Sequence, residues 1–193
     1  MKRASDVLAV KAVMRKINDS NYLMEALKEA KFAALQGDIP VGAVLVDEEG
    51  RIIAKGRNQR NSRGSHLEHA EMNVIREAQE YLYQHPWKAT LYCSLEPCVM
   101  CLGAAIINHI GRIVWACDDK WAGGTNSLRK STFLSEQKMQ IVRMPIRKLA
   151  FESYQLLYEY FSKENPTQVS KVIPNKNLPY IKRMMHTKGL GKR

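Results

Sequence analysis

Ala89-Thr90-Leu91-Tyr92-Cys93-Ser94, then Pro97-Cys98-Val99-Met100-Cys101 opening an apolar run to His109, then Arg112-Ile113-Val114-Trp115-Ala116-Cys117: this stretch decides the architecture. The outer pieces read as short strands. The middle, 98–109, has almost no polar face and reads as a buried helix, so the three together predict a βαβ unit. Upstream, 41–46 scarcely alternates between apolar and polar residues, which predicts a strand covered on both faces. Asp47-Glu48-Glu49-Gly50 is a tight turn, and 51–57 returns as its hairpin partner. Helical spacing recurs over 22–36, over 68–83 and from Pro145 to 163, with Pro145 suited to a helix start. A short helix is expected around 129–135 and a last strand over 139–144. The order α-ββ-α-β-α-β-β-α predicts an α/β protein of three layers, α/β/α, around a mixed five-stranded sheet.

At 193 residues the chain is one domain's worth with room for extensions. Its net charge of +11 sits at the ends: 165–193 holds seven bases and no acid, and 1–20 holds five bases against Asp6 and Asp19. The expected organisation is a basic N-terminal extension over 1–20, a nearly neutral body over 21–164, and a basic C-terminal extension over 165–193. Within the first segment, 7–17 reads as a short amphipathic helix, and Asn18-Asp19-Ser20-Asn21 as a break that caps the next one. After Lys163, Pro166, Pro174 and Pro179 suggest a segment that wraps the body or stays mobile. A basic end can bind polyanions or simply be a solvated face. No apolar run approaches a membrane span, so no membrane contact is expected. The start lacks a hydrophobic segment leading to a cleavage site, which points to a cytoplasmic protein. Cys93, Cys98, Cys101 and Cys117 then read as ligands or buried thiols and not as a disulfide framework.

Chemistry concentrates in Glu68-His69-Ala70-Glu71 and Pro97-Cys98-Val99-Met100-Cys101. His69 and Glu71 start a helix, and residues two apart on a helix point in different directions, so a site that uses both lies off the helix end. Cys98 and Cys101, three apart in the first turn of the second helix, share a face. Two helix N-termini would converge, and their partial positive charge favours thiolate over thiol. One His and two Cys leave zinc one open position of four, the mark of a catalytic site, where water is acidified to a pKa of about 7. Glu71 beside it would move protons. Three plainer readings stand beside this one: a structural zinc knot with Cys93 as fourth ligand, a redox pair, or a chance His at a helix end.

His69-Ala70-Glu71 with Pro97-Cys98-x-x-Cys101 resembles the zinc nucleobase and nucleoside deaminases, a signature tied to hydrolytic loss of an exocyclic amine. The resemblance runs over about 21–163 and implies the cytidine deaminase-like fold. It also implies one catalytic Zn2+ per chain held by His69, Cys98 and Cys101, with Glu71 as proton shuttle. Ile39–Val46 as Ile-Pro-Val-Gly-Ala-Val-Leu-Val, Leu95-Glu96-Pro97-Cys98, Ile110-Gly111-Arg112-Ile113-Val114 and Leu156-Leu157-Tyr158-Glu159-Tyr160-Phe161 look like bacterial tRNA adenosine deaminases. That sub-family usually reads Asp-Pro-Thr-Ala ahead of its His-Ala-Glu, where this chain has His66-Leu67-Glu68 after Ser65. Its Gly-Ala-Ala-Gly-Ser is Gly123-Gly124-Thr125-Asn126-Ser127 here. Asn58-x-Arg60-x-x-Arg63-Gly64-Ser65 instead resembles fungal-type cytosine deaminases, which act on a free base.

By the same resemblance Asn58 would hold the base or ribose, Val41 and Ala70 would offer backbone to the ring, and Asp119 would lie near the target nucleotide. Asn58 also reads as a turn former, Asp119 as a solvated loop acid, and Trp121 as a lid or a loop anchor. The expected activity is hydrolytic deamination of a nucleobase, nucleoside or nucleotide of the cytosine, guanine or adenine type. The alternatives are a tRNA-specific adenosine-to-inosine deaminase acting on the anticodon loop, and a zinc-stabilised but inactive RNA-binding module. A homodimer or higher homo-oligomer is implied by the resemblance.

Overall fold

A computed structural model describes residues 4–128, 131–173 and 177–187. The elements run α1 (Ala4–Leu35), β1 (Gly42–Val46), β2 (Ile52–Arg57), α2 (Ala70–Glu77), α3 (Gln79–Gln84), β3 (Thr90–Cys93), α4 (Val99–Ile107) and β4 (Arg112–Trp115). They continue with α5 (Thr125–Leu128), α6 (Thr132–Ser135), β5 (Gln140–Arg143), α7 (Arg147–Glu164), α8 (Pro166–Val172) and α9 (Leu178–Thr187). The sheet order is β2-β1-β3-β4-β5, with β1 antiparallel to β2 and to β3, and β3, β4 and β5 parallel. The mixed five-stranded sheet and its βαβ unit are as the sequence predicts. Among the described residues no helix is long and apolar enough to cross a membrane.

Strand alternation sorts the layers. Ala43 and Leu45 of β1, Leu91 and Cys93 of β3, and Ile113 and Trp115 of β4 pack with α2 and α4 through Val74, Ile75, Leu102 and Ile106. Val44, Val46, Tyr92 and Val114 point the other way, onto Leu23, Leu27 and Ala30 of α1 and Leu149 of α7. Every residue of β1 is buried, which is why its sequence shows no alternation. Gly56 of β2 lets α2 approach: a Cβ there would stand 2.6 Å from the Ala70 carbonyl oxygen.

Two expectations change. The helix expected over 68–83 divides at Ala78, whose φ of −97° and ψ of 14° leave the helical basin. And α1 runs without interruption through Asn18-Asp19-Ser20-Asn21, where a break was expected. Asp19 does not cap a helix. Its carboxylate is buried and accepts from Arg112 Nη1 and Nη2, both at 2.7 Å, and from the Tyr92 hydroxyl at 2.7 Å. A cap-forming residue type was recruited to pair the buried guanidinium at the start of β4, tying α1 to the middle of the sheet.

The stretch after Lys163 is no free tail over its described residues. Val169, Val172, Ile173 and Ile181 enter the core cluster shared with α2 and α4. Bases and apolar residues alternate along it, so its charge can stay at the surface while its hydrophobes anchor it.

Breaking the Asp19–Arg112 pair from one side leaves a buried charge alone, which costs about 3–5 kcal/mol. Asp19→Ala should therefore lower the melting temperature by more than about 6 °C, and Tyr92→Phe, which removes one hydrogen bond, by a few degrees at most. Thermal denaturation followed by circular dichroism reads both.

Candidate active site

His69 and Cys98 are the N-cap residues of α2 and α4, both with extended backbone (φ −74°, ψ 154° and φ −71°, ψ 171°). They stand just off the two helix ends, with Cys101 one turn into α4. The His69 Nδ1 lies 3.6 Å from Cys98 Sγ and 3.4 Å from Cys101 Sγ, and the two sulfurs are 3.6 Å apart. Tetrahedral zinc with Zn–N of about 2.05 Å and Zn–S of about 2.3 Å would set N···S near 3.6 Å and S···S near 3.8 Å. The triangle already has the size of three corners of that tetrahedron. His69, Cys98 and Cys101 are the metal-ligating group found among the described residues. Cys93 is wholly buried in the core and stands outside this group, against the reading in which it closes the shell as a fourth ligand.

Electrostatics fit the same use. A hydrogen bond from the Cys101 thiol, together with His69, pulls Cys98 down to about 4, so it is a thiolate at neutral pH. Cys101 is pushed up because it donates to that thiolate and is buried. The Cys98 sulfur in turn raises His69. Without a cation the two thiols share one proton, and a divalent ion would release it. Glu71, 3% exposed, is raised by burial, and its Oε2 has no hydrogen-bond partner among the described groups.

His69, Glu71 and Cys98 open onto a cavity of 450 Å3 bordered also by Asn58, Leu95, Asp119 and Trp121. A larger cavity of 770 Å3, between Arg143, Arg147, Lys148 and Phe151, contains none of the metal-ligating groups.

The substrate-side expectations divide. Asn58 is buried and borders the cavity. Its Oδ1 accepts from Arg60 N at 3.0 Å, so the turn-forming role is real, and no side-chain bond of its Nδ2 is found among the described residues. Val41 borders the cavity, yet its N–H donates to Ile39 O at 2.7 Å and its carbonyl accepts from Asn58 N at 2.9 Å. Ala70 is fully buried and is not among the lining residues. Asp119 borders the cavity while its Oδ1 accepts from the Trp121 and Ala122 amides at 2.9 and 3.0 Å, and burial raises its pKa. Trp121 is 61% exposed, with Lys171 Nζ 5.4 Å above its ring.

Several residues that shape the site were given no role in it by the sequence. Glu96 is buried, accepts from Asp119 N at 3.2 Å and from the Thr125 hydroxyl, and so pins the loop over 118–125 against the metal triad. Gly124 N donates to Pro97 O at 2.9 Å, and a Cβ on Gly124 would meet Val99 N at 2.6 Å. The pair Gly123-Gly124 is therefore the close approach of a loop to the ligand-bearing turn. Asp38 Oδ1 accepts from the Asn61 and Ser62 amides at 2.7 and 3.0 Å, fixing the loop that carries Asn58. Tyr160, Phe161, Gln168 and Val172 wall the cavity from the C-terminal helices. Glu96 in Leu95-Glu96-Pro97 could have been singled out as an acid within an apolar context. Gln168 could not.

Cys98→Ser and His69→Ala should each reduce bound zinc from about one ion per chain to a small fraction, because three ligands leave none to spare. Cys93→Ser should leave the zinc content unchanged. Elemental analysis of the purified proteins measures this.

Comparisons with known proteins agree with this geometry. The family pattern described as the cytidine and deoxycytidylate deaminase zinc-binding region matches residues 16–117, just over half the chain and all three candidate ligands. The tRNA-specific adenosine deaminase of Bacillus subtilis (strain 168) is 42% identical over 113 residues, 57% of this chain and 68% of that one. Its counterpart from Aquifex aeolicus (strain VF5) is 35% identical over 147 residues, 74% of this chain and 93% of that one. A solved structure from a study of A-to-I editing by tRNA:A34 deaminases superposes with a TM-score of 0.62 at 32% identity. It covers 72% of this chain and 99% of the other. More than a quarter of this chain thus has no counterpart there. With half its length matched, and the match centred on the cavity just described, the chain belongs to the cytidine and deoxycytidylate deaminase family and is a zinc-dependent hydrolytic deaminase.

Proposed function

We propose that His69, Cys98 and Cys101 hold the catalytic zinc ion, that Glu71 is the proton carrier, and that the substrate is a free nucleobase or nucleoside. The observation that carries the substrate reading is the wall of the cavity. Phe161 of α7 and Gln168 and Val172 of α8 bound it together with Trp121, which Lys171 of α8 overlies. At 450 Å3 it has the size of a small-molecule pocket.

The chemistry replaces a C–NH2 group of an aromatic ring by C=O and releases ammonia at the expense of one water. When bound, zinc lowers the pKa of water to about 7 and so provides a nucleophile at neutral pH. Glu71 would accept one proton of the attacking water on Oε2 and pass it to the ring nitrogen beside the reacting carbon, then carry the second water proton from the newly added hydroxyl to the departing amine, leaving C=O and ammonia. Burial suits this, because a carboxyl group raised toward neutral pH both accepts and returns a proton. Asn58, anchored through its backbone N–H and Oδ1, presents Nδ2 to an acceptor on the ring. Ile39, Leu95, Leu157 and Phe161 offer apolar contact to its faces and exclude water.

A second reading, deamination of an adenosine in a tRNA anticodon loop, is favoured by the relatives, since those with 35–42% identity are named tRNA-specific adenosine deaminases. The bases gathered at the two ends of the chain would serve it. Val99 and Ile107, 50% and 70% exposed on the outer side of α4, support pairing with a second copy of the chain in either case. Four free cysteines suit a reducing compartment, and we place the protein in the cytoplasm.

Ammonia release across cytosine, guanine, adenine, their nucleosides and an anticodon stem-loop separates the readings. Turnover of a free base or nucleoside is expected, and ammonia from the stem-loop alone would establish the second reading. Glu71→Gln should lower kcat by a factor of about 10^2–10^4 while zinc and fold are kept. Undiminished turnover in that variant would remove Glu71 from the mechanism. No turnover by the wild type on any of these substrates would favour an inactive RNA-binding module.

A further inference from the structure

We propose that Gln168 of α8 reads the substrate: its Oε1 accepts a hydrogen bond from a ring N–H on the edge turned away from the metal triad, which selects a free nucleobase over the corresponding nucleoside. The inference rests on the assignment of the 450 Å3 cavity as the substrate site.

Three buried side-chain atoms among the described residues lack a hydrogen-bond partner: Asp38 Oδ2, Glu71 Oε2 and Gln168 Oε1. Two of the three residues, Glu71 and Gln168, border the same cavity. A buried carbonyl without a donor is costly, and such groups in a native fold are kept where a ligand or a reaction uses them. Glu71 is accounted for by proton transfer. Gln168 Oε1 has no hydrogen-bond partner among the described residues, and no step of the chemistry above employs it.

The side chain is also well placed to be selective. Its backbone N–H donates to Asn165 O at 2.9 Å, and Val169 and Val172, one and four residues further on, are buried in the core, so α8 is fixed to the body. Part of the remaining polar lining is engaged. Asn58 Oδ1 is taken by Arg60 N, and Asp119 Oδ1 by the amides of Trp121 and Ala122. Gln168 Oε1 is thus an acceptor held ready among the apolar side chains of Leu157, Phe161 and Val172.

The donor it fits follows from the ring. With the reacting carbon at the metal triad, the far edge of cytosine carries N1–H, and the far edge of a purine carries N9–H. Those nitrogens bear the sugar in a nucleoside, so the donor is lost and the ribose would meet α8. A site built to bond an N–H discriminates strongly against a ligand that lacks it, because its own buried acceptor is then left unpaired.

The test compares kcat/KM for each free base with that for its ring-N-methyl analogue (cytosine and 1-methylcytosine, adenine and 9-methyladenine, guanine and 9-methylguanine) and for its nucleoside. It uses the zinc-loaded full chain and its Gln168→Leu, Gln168→Met and Gln168→Glu forms. The wild type should prefer its base over the methylated analogue by about 10- to 100-fold. Gln168→Leu and Gln168→Met should lose most of that preference, largely through KM, and Gln168→Glu, which keeps an acceptor, should retain it. Circular dichroism and zinc content identify any variant that fails to fold, and the remaining ones then decide. A wild type that uses bases and nucleosides equally, or Gln168→Met with the wild-type preference, overturns the role of Gln168 and leaves the small-molecule reading intact. Activity on the anticodon stem-loop alone overturns both.

Discussion

A triangle of one imidazole nitrogen and two sulfurs, 3.4 to 3.6 Å on a side, is the constraint to which the structure is fitted. Three good donors that close together repel or compete for protons unless a cation joins them. The βαβ unit sets one side, because a parallel pair β3 and β4 needs a crossover, and the crossover α4 starts at Cys98. The hairpin β1–β2 sets the other, since α2 packs on it at Gly56 and starts at His69. Two helix starts then meet at one point, where their unpaired amides and dipoles favour negative charge.

Around that point the chain uses buried polar groups as fasteners. Asp19 with Arg112 and Tyr92 locks α1 to the sheet, Glu96 with Asp119 and Thr125 locks the loop over 118–125, and Asp38 with Asn61 and Ser62 locks the loop that carries Asn58. Each is a carboxylate with low exposure whose partners are spread over distant parts of the sequence. Such pairs contribute less to net stability than to the choice of one arrangement, because desolvation offsets most of their attraction.

What the sequence made legible follows the range of the forces involved. The hairpin, the βαβ unit and the meeting of His69 with Cys98 and Cys101 were readable because periodicity and Pro-Cys-x-x-Cys spacing are local signals. The uninterrupted α1 was not, since Asp19 is a good cap by type and only a partner 93 residues away makes it a core ion-pair residue. The Gln168 wall was equally hidden: a glutamine in a basic, proline-marked segment gives no hint that Val169, Val172 and Ile181 anchor that segment beneath the cavity. Ala70, to which the resemblance gives a backbone role toward the ring, is fully buried and stands outside the residues that border the cavity.

The division of labour that results is chemical and spatial. Residues within the family-matched 16–117 hold the metal triad and Glu71, while part of the cavity wall comes from α7 and α8 beyond it. Side chains of α7 and α8 that wall the cavity can change without moving His69, Cys98 and Cys101, which is a direct route to new substrate choice. The central claim is that the metal centre is open, with three protein ligands and one position left for reaction. Zinc K-edge X-ray absorption on the purified protein tests it most directly. The account predicts two sulfurs at about 2.3 Å with one imidazole nitrogen and one further light atom at about 2.0 Å. A shell of three or four sulfurs would contradict it, because it would bring in a buried cysteine such as Cys93 and make the site a closed structural knot.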